Sequence, residues 1–371
     1  MKKEKNTCYF FIGTEAELIK VFPIIIECQN RNIICHIIAS GQNDLKKSRI
    51  LQFINLNGKF IELSDEKNIK KSAVGLLTWF VRTRNRALNI IKQAFDVEEL
   101  KGKALIVHGD TVSTFMGAMI GKQLKMKVCH VEAGLRSHQL FSPFPEEIDR
   151  VLTSRIARVH FAPGKGAVNN LKKAKGQVVD TVFNTILDSL KISHELPIVT
   201  NGLKEIIQED YFVLVMHRQE NLLNKAFVKQ VIEQVEQLAQ ERKCVFILHE
   251  ITKNTLREMG LMEKMNSNSN FILLPRVDYF DFMKLLNASK FVITDGGSNQ
   301  EELHYMGKPC LIMRKTTERN EGINQNAIMY QGNLDRILIF GNDFEKYKIP
   351  SVVADNSPSS IIANLLDCYL E

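Results

Sequence analysis

Short apolar runs that end in polar residues, each followed by a helical pattern, recur along the chain and constrain its fold more than any other feature. That order is the signature of βα units and a parallel sheet. "CYFFIG" reads as the first strand, after which Thr14 and Glu17 form a T-x-x-E capping box opening a helix through "LIKVFPIIIECQN". "IICHIIAS", "ALIVHGD" and "KVCHVEAG" are further strands with polar carboxyl ends. The rhythm restarts after "SHELPIVTNG", where "YFVLVMH", "CVFILH", "NFILL", "FVITDGG" and "PCLIM" alternate with helical stretches. In the tail "NSPSSIIANLLDCYLE", Ser357 is placed to cap and Pro358 to open a closing helix. The expected class is α/β, with two successive Rossmann-like halves over 1–195 and 196–355 and a final helix over 356–371.

At 371 residues the chain is long enough for two such domains, each with its own core. Its 44% apolar and 25% charged residues are the balance of a soluble globular protein. The longest apolar runs, such as "CYFFI" and "VFPIII", fall short of the roughly 18 residues that cross a bilayer, and no signal-peptide pattern precedes them, so no membrane span and a cytoplasmic location are expected. The seven cysteines are scattered without a C-x-x-C pair or a His at metal spacing, and read as core residues of a reducing compartment rather than metal ligands. The net charge of +7 comes from lysines in short separate clusters without interleaved aromatics, so solvated faces are expected and nucleic acid is not. "LLTWFVRTRNRALNI", with the single tryptophan Trp79, reads as an amphipathic helix.

In open α/β sheets ligands gather outside the carboxyl ends of strands. Two sheets facing a common cleft are expected to bring residues near 13–20, 110, 132, 217 and 295–302 together. In "HGDTVST", Asp110 follows a strand and Thr111 is placed to cap the next helix. Asp110 alone is equally well read as a helix cap. Glu132 in "HVEAGLRS" repeats the pattern one strand later, and "SPFPEEIDR" adds Glu146, Glu147 and Arg150. Grouped acids raise one another's pKa and so supply an acid and a base at neutral pH. His217 in "VMHRQEN" ends the first strand of the second half beside Arg218, Glu220 and Asn221; an ordinary polar loop is the plainer reading of that turn.

"TDGGSNQEE" carries the strongest small-ligand signal. Gly296 and Gly297 let the backbone approach a phosphate, Ser298 follows, and the helix start favours negative charge. Glu302, further along, suits a ribose, and "RKTTER" supplies Arg314, Lys315 and Arg319 for a diphosphate. A solvated basic loop is the alternative for the last stretch.

Taken together and in order, "HGDTVST", "HVEAGLRS", "SPFPEEIDR", "HRQEN" and "GKPCLIMRKTTER" resemble the bacterial UDP-N-acetylglucosamine 2-epimerase family over almost the whole chain. The resemblance implies a GT-B fold, with two Rossmann-like domains, parallel sheets facing a nucleotide cleft, and a C-terminal helix packing back on the first domain. It implies no cofactor: UDP leaves by anti-elimination to a 2-acetamidoglucal and re-adds after a proton reaches the opposite face of C2. It assigns Asp110, Glu132, Glu146 and His217 to catalysis, supported by Arg150, with Lys20 near the substrate, Phe282 near uracil, Glu302 on ribose and Arg319 on diphosphate. A UDP-sugar substrate and a homodimer follow from the same likeness.

The chain departs from the family in places. "GTEAE" stands for the usual "GTRPE", placing Glu15 where an arginine meets substrate, and a carboxylate there repels a diphosphate. "DGGSNQEE" stands for "DSGGIQEE", with Asn299 in an apolar position. Of the segments contacting a second, activating nucleotide sugar in many relatives, Gln42 and His249 remain. A hydrolysing 2-epimerase and a GT-B glycosyltransferase are the rival functions.

Overall fold

The computed structural model describes residues 6–63, 73–136, 146–315, 317 and 320–370. Residues 142–145 of "SPFPEEIDR" and Arg319 lie outside the described residues. The chain divides into two compact units, Met1–Ser189 with Ala354–Glu371, and Leu190–Val353.

The first unit is built on a parallel sheet of β1 (Thr7–Ile12), β2 (Ile34–Ala39), β3 (Phe60–Glu62), β4 (Ala104–His108), β5 (Lys127–Val131), β6 (Val159–Ala162) and β7 (Gln177–Asp180). Their spatial order is β3-β2-β1-β4-β5-β6-β7. The chain runs outward from β1 in one direction, then returns to β4 and runs outward in the other. The order therefore reverses between β1 and β4, where such sheets open a crevice for ligands. Every residue of β4, "ALIVH", is buried, as a strand covered on both faces requires. Strands β3, β6 and β7 were not anticipated; at three or four residues each, they carry too little apolar pattern to stand out.

The helix Glu15–Asn30 opens as expected, with Thr14 Oγ1 accepting from Glu17 N at 3.2 Å. Glu17 does more than close the helix start, because its carboxylate accepts from Gly13 N at 2.6 Å and from Thr111 Oγ1 at 2.5 Å. It thereby ties the turn after β1 to the turn after β4. Trp79, on the helix Ala73–Ala94, is buried in the core with Tyr9, Phe11, Leu105 and Val107. The closing helix Pro358–Leu370 is capped by Ser357 Oγ, which accepts from Ser360 N at 3.1 Å. It is held in the first unit by Ser359 N donating to Asp188 at 2.8 Å and by Arg31 donating to Ser360 Oγ at 2.9 Å and Asn364 Oδ1 at 3.0 Å.

The second unit has β8 (Tyr211–Val215), β9 (Lys243–Leu248), β10 (Phe271–Pro275), β11 (Val292–Thr294), β12 (Cys310–Ile312) and β13 (Ala327–Met329), all parallel, in the order β10-β9-β8-β11-β12-β13. Its order reverses between β8 and β11. The core below includes Phe212 stacked on Phe291 at 4.8 Å between ring centroids. Among the described residues, no helix is long and apolar enough to cross a membrane.

Candidate active site

In the first unit the acids stand at the carboxyl ends of two adjacent strands, since β4 pairs with β5 through His108 and Val131. Glu132, next after β5, is buried and holds φ +60°, a left-handed conformation uncommon for any residue but glycine. Its Oε2 takes an ion pair from Lys20 Nζ and a hydrogen bond from Asn184 Nδ2, with His108 Nε2 at 3.7 Å. Gly109, at φ +71°, leaves room beside this carboxylate: a Cβ there would lie 4.0 Å from Glu132 Oε1. Lys20 and Glu132 are both almost fully inside, so each charge depends on the other.

Asp110 pairs with Arg150 Nη2, while Thr111 supplies the helix cap through Thr114 N. The cap and the acid are thus separate residues. Arg150 also approaches Glu147 Oε2 at 3.7 Å, and Arg136 donates to the other oxygen of Glu147, which is fully buried. Glu146 opens the helix Glu146–Ile156 that carries Arg150. Asp149, on the same helix, is pushed up to about 7 by burial, with Asp110 and Glu146 adding like-charge repulsion. Burial likewise lifts Glu17 to about 7 against the hydrogen bonds it accepts. His130, below the strand ends, is held down at about 4 by burial and contacts Gly109 O at 2.7 Å.

In the second unit the turn after β8 is organised by Asp295, at the end of β11 and fully buried. Its carboxylate accepts from His217 N at 3.0 Å, Arg218 N at 2.9 Å and Asn221 Nδ2 at 3.1 Å. His217 Nδ1 lies 3.2 Å from Asp295 Oδ1, and its ring stacks on His249 with centroids 4.6 Å apart. Gly296 caps the helix Gly297–Tyr305 with φ −81°, so a positive φ is not why glycine stands there. Space is the reason: a Cβ would come 2.7 Å from Asn299 Oδ1 and 3.2 Å from His217 Cε1. Ser298 is exposed on the first turn and Glu302 buried one turn on. Asn299 accepts from Thr294 Oγ1 at 3.1 Å and donates to Glu302 at 3.0 Å, which accounts for a polar residue in that position. Phe282 is half-buried on the helix Tyr279–Ala288, between buried Phe280 and Met283 rather than itself in the core.

Glu15 is seated in the first turn of its helix, where a carboxylate suits the positive helix end. Sequence reasoning gave no role to His108, Asn184, Asp149 or the pairing of Arg136 with Glu147, and marked Asp295 only as the start of the 295–302 stretch. His108 and Asp295 stood inside quoted motifs at strand ends, a usable signal; Asn184, in "VFNTI", had none.

Two parallel-sheet α/β domains, with polar groups at each strand-order reversal, define the class as GT-B. The profile of the UDP-N-acetylglucosamine 2-epimerases matches residues 27–339, and the chain belongs to that family. It is 33% identical over 338 residues to the UDP-N-acetylglucosamine 2-epimerase of Methanocaldococcus jannaschii, covering 88% of this chain and 89% of that one. The enzyme of the same name from Neisseria meningitidis serogroup A is 29% identical, over 88% and 87% of the two chains. The solved Methanocaldococcus jannaschii structure in complex with UDP-GlcNAc and UDP aligns with a TM-score of 0.75 at 29% identity, over 98% of this chain and 99% of that one.

Proposed function

We propose that the protein is a non-hydrolysing 2-epimerase that interconverts UDP-N-acetylglucosamine, or a modified UDP-N-acetyl amino sugar, with its manno epimer. One observation carries the proposal: Glu132, in a left-handed conformation, is held by Lys20 and Asn184 one strand away from the Asp110–Arg150 pair. Two carboxylates with different cationic partners suit a reaction that removes a proton from C2 and returns one to the opposite face. Glu132, Asp110 and Glu146 are the proton-handling set, with Lys20 and Arg150 setting their charge. His217, oriented by Asp295, assists departure of the diphosphate, and the Gly296–Gly297–Ser298 turn, Glu302, Phe282 and Arg319 hold UDP. The names of the relatives support the same substrate. No cofactor enters this chemistry. The protein is further taken to act as a cytoplasmic homodimer supplying surface polysaccharide synthesis, in keeping with its free cysteines.

The test is incubation with UDP-N-acetylglucosamine in D₂O. Deuterium at C2 together with UDP-N-acetylmannosamine is expected. Free N-acetylmannosamine with UDP would make the enzyme hydrolysing instead, and absence of label at C2 would remove it from proton-transfer chemistry and favour a transferase.

A further inference from the structure

Cys8 on β1, Cys28 on the helix Glu15–Asn30 and Cys35 on β2 come together in the first unit although 20 and 7 positions separate them in sequence. Cys8 and Cys35 are register partners on adjacent strands, with their sulfurs 3.7 Å apart, and all three sulfurs lie within 4.8 Å of one another. All three residues are fully buried. We propose that this thiol triad is a binding site for a trivalent thiophilic ion of the arsenite class, held by three sulfurs.

Three features lead there. The first is spacing. Sulfurs bound to one ion at about 2.3 Å stand about 3.8 Å apart at tetrahedral angles and about 3.4 Å apart where the angles of a pyramidal ion close towards 90°; the Cys8–Cys35 sulfurs, at 3.7 Å, need to close by only a few tenths of an ångström. The second is number: among the described residues the cluster offers three donors, one fewer than a structural zinc site needs. The third is charge. Three thiolates around a divalent ion leave a net negative charge in a fully buried place, which is costly; around a trivalent ion they leave none. Soft thiolate donors also select soft ions.

The step balances without redox change. Arsenous acid, As(OH)₃, condenses with three thiols; three S–H and three As–O bonds break, and three As–S and three O–H bonds form. Three waters leave, and arsenic remains in the +3 state. Because no cysteine of the triad reaches solvent, entry follows local opening of the helix or strand edge, and slow uptake is expected.

The test uses the whole reduced chain with sodium arsenite. One arsenic per folded chain is expected by native mass spectrometry, with loss of three of the seven thiols in a titration after denaturation. X-ray absorption at the arsenic edge should show three sulfur neighbours. Cys28→Ala and Cys35→Ser should each weaken binding by about tenfold or more, one lost bond's worth, while Cys244→Ala and Cys310→Ala leave it unchanged. Zinc ion at equal concentration should bind about tenfold more weakly or worse. Arsenic taken up only in denaturant, two sulfur neighbours in the parent chain, retention unaffected in folded Cys28→Ala and Cys35→Ser chains, or zinc bound as tightly would each overturn the proposal. The absorption result on the parent chain decides even where a variant fails to fold.

Discussion

The two units place polar groups at the same topological point but stabilise them by different physics. In the first, a carboxylate is matched to a cation: Glu132 to Lys20, Asp110 and Glu147 to Arg150, Glu147 also to Arg136. In the second, the buried carboxylate of Asp295 is satisfied by the main-chain N–H groups of His217 and Arg218 and by an amide. Ion pairs hold charge that proton transfer can change, whereas backbone donors hold a turn in one shape. The difference fits the division proposed above, with proton transfer in the first unit and ligand holding in the second.

The sharpest way to break that comparison is to neutralise Glu132. Glu132→Gln should lower turnover by about 10²- to 10⁴-fold, the span of general acid–base catalysis, with circular dichroism unchanged. A variant turning over near the parent rate would mean that Glu132 is a structural acid. Next in size is the dependence of the paired charges on each other. Lys20→Met removes the cation paired with a buried carboxylate and should cost about 3–5 kcal/mol of stability in urea unfolding. Asp295→Asn, which keeps one acceptor for the same donors, should cost about 1–3 kcal/mol. Equal losses would erase the distinction drawn between the units.

This difference also explains what could be read from sequence. The second unit's constellation draws on only two stretches, 217–221 and 294–302, and within each the groups lie a turn or two apart. Its glycine turn was therefore legible, although the part Asp295 plays in holding the turn after β8 was not. The first unit assembles Lys20, His108, Glu132 and Asn184 from four separate elements. Strand-end position marked Glu132 and Asp110; Lys20 fell at the edge of the 13–20 stretch expected there and was singled out by family likeness, and nothing in "VFNTI" marks a side chain that reaches Glu132. The alternation of strands and helices foretold both parallel sheets, but not their three- and four-residue edge strands. The cysteines were read one by one as core residues, and periodicity along a strand or helix says nothing about three of them meeting across elements.

A smaller effect probes the room left at the second unit's turn. Gly296→Ala puts a methyl 2.7 Å from Asn299 Oδ1 and 3.2 Å from His217 Cε1. Overpacking of this kind costs about 1–3 kcal/mol, and it should appear as a rise in KM of about tenfold with the fold retained. An unchanged KM would show that the turn yields easily and that its shape is not what the ligand reads.

The smallest expected effect sets one residue of each unit against the other through the pH dependence of stability. In the first, Glu17 is lifted from 4.5 to about 7 by burial. Between those values the native chain holds a proton that the unfolded chain has lost, so this contribution is present below about 4.5 and disappears as pH rises through about 7. In the second, burial and the neighbouring His217 lower His249 from 6.5 to about 4. There the unfolded chain binds the extra proton, and stability rises with pH across that window. Glu17→Gln should therefore make the chain lose less stability between about pH 5 and 7, by no more than the single-proton limit of about 1.4 kcal/mol per pH unit. His249→Gln should remove part of the gain seen on going up from about pH 4. Urea midpoints measured across that range check both. If Glu17→Gln followed the parent's slope, Glu17 would be ionised in the native chain throughout, and the first unit's strand ends would carry one more negative charge than burial permits.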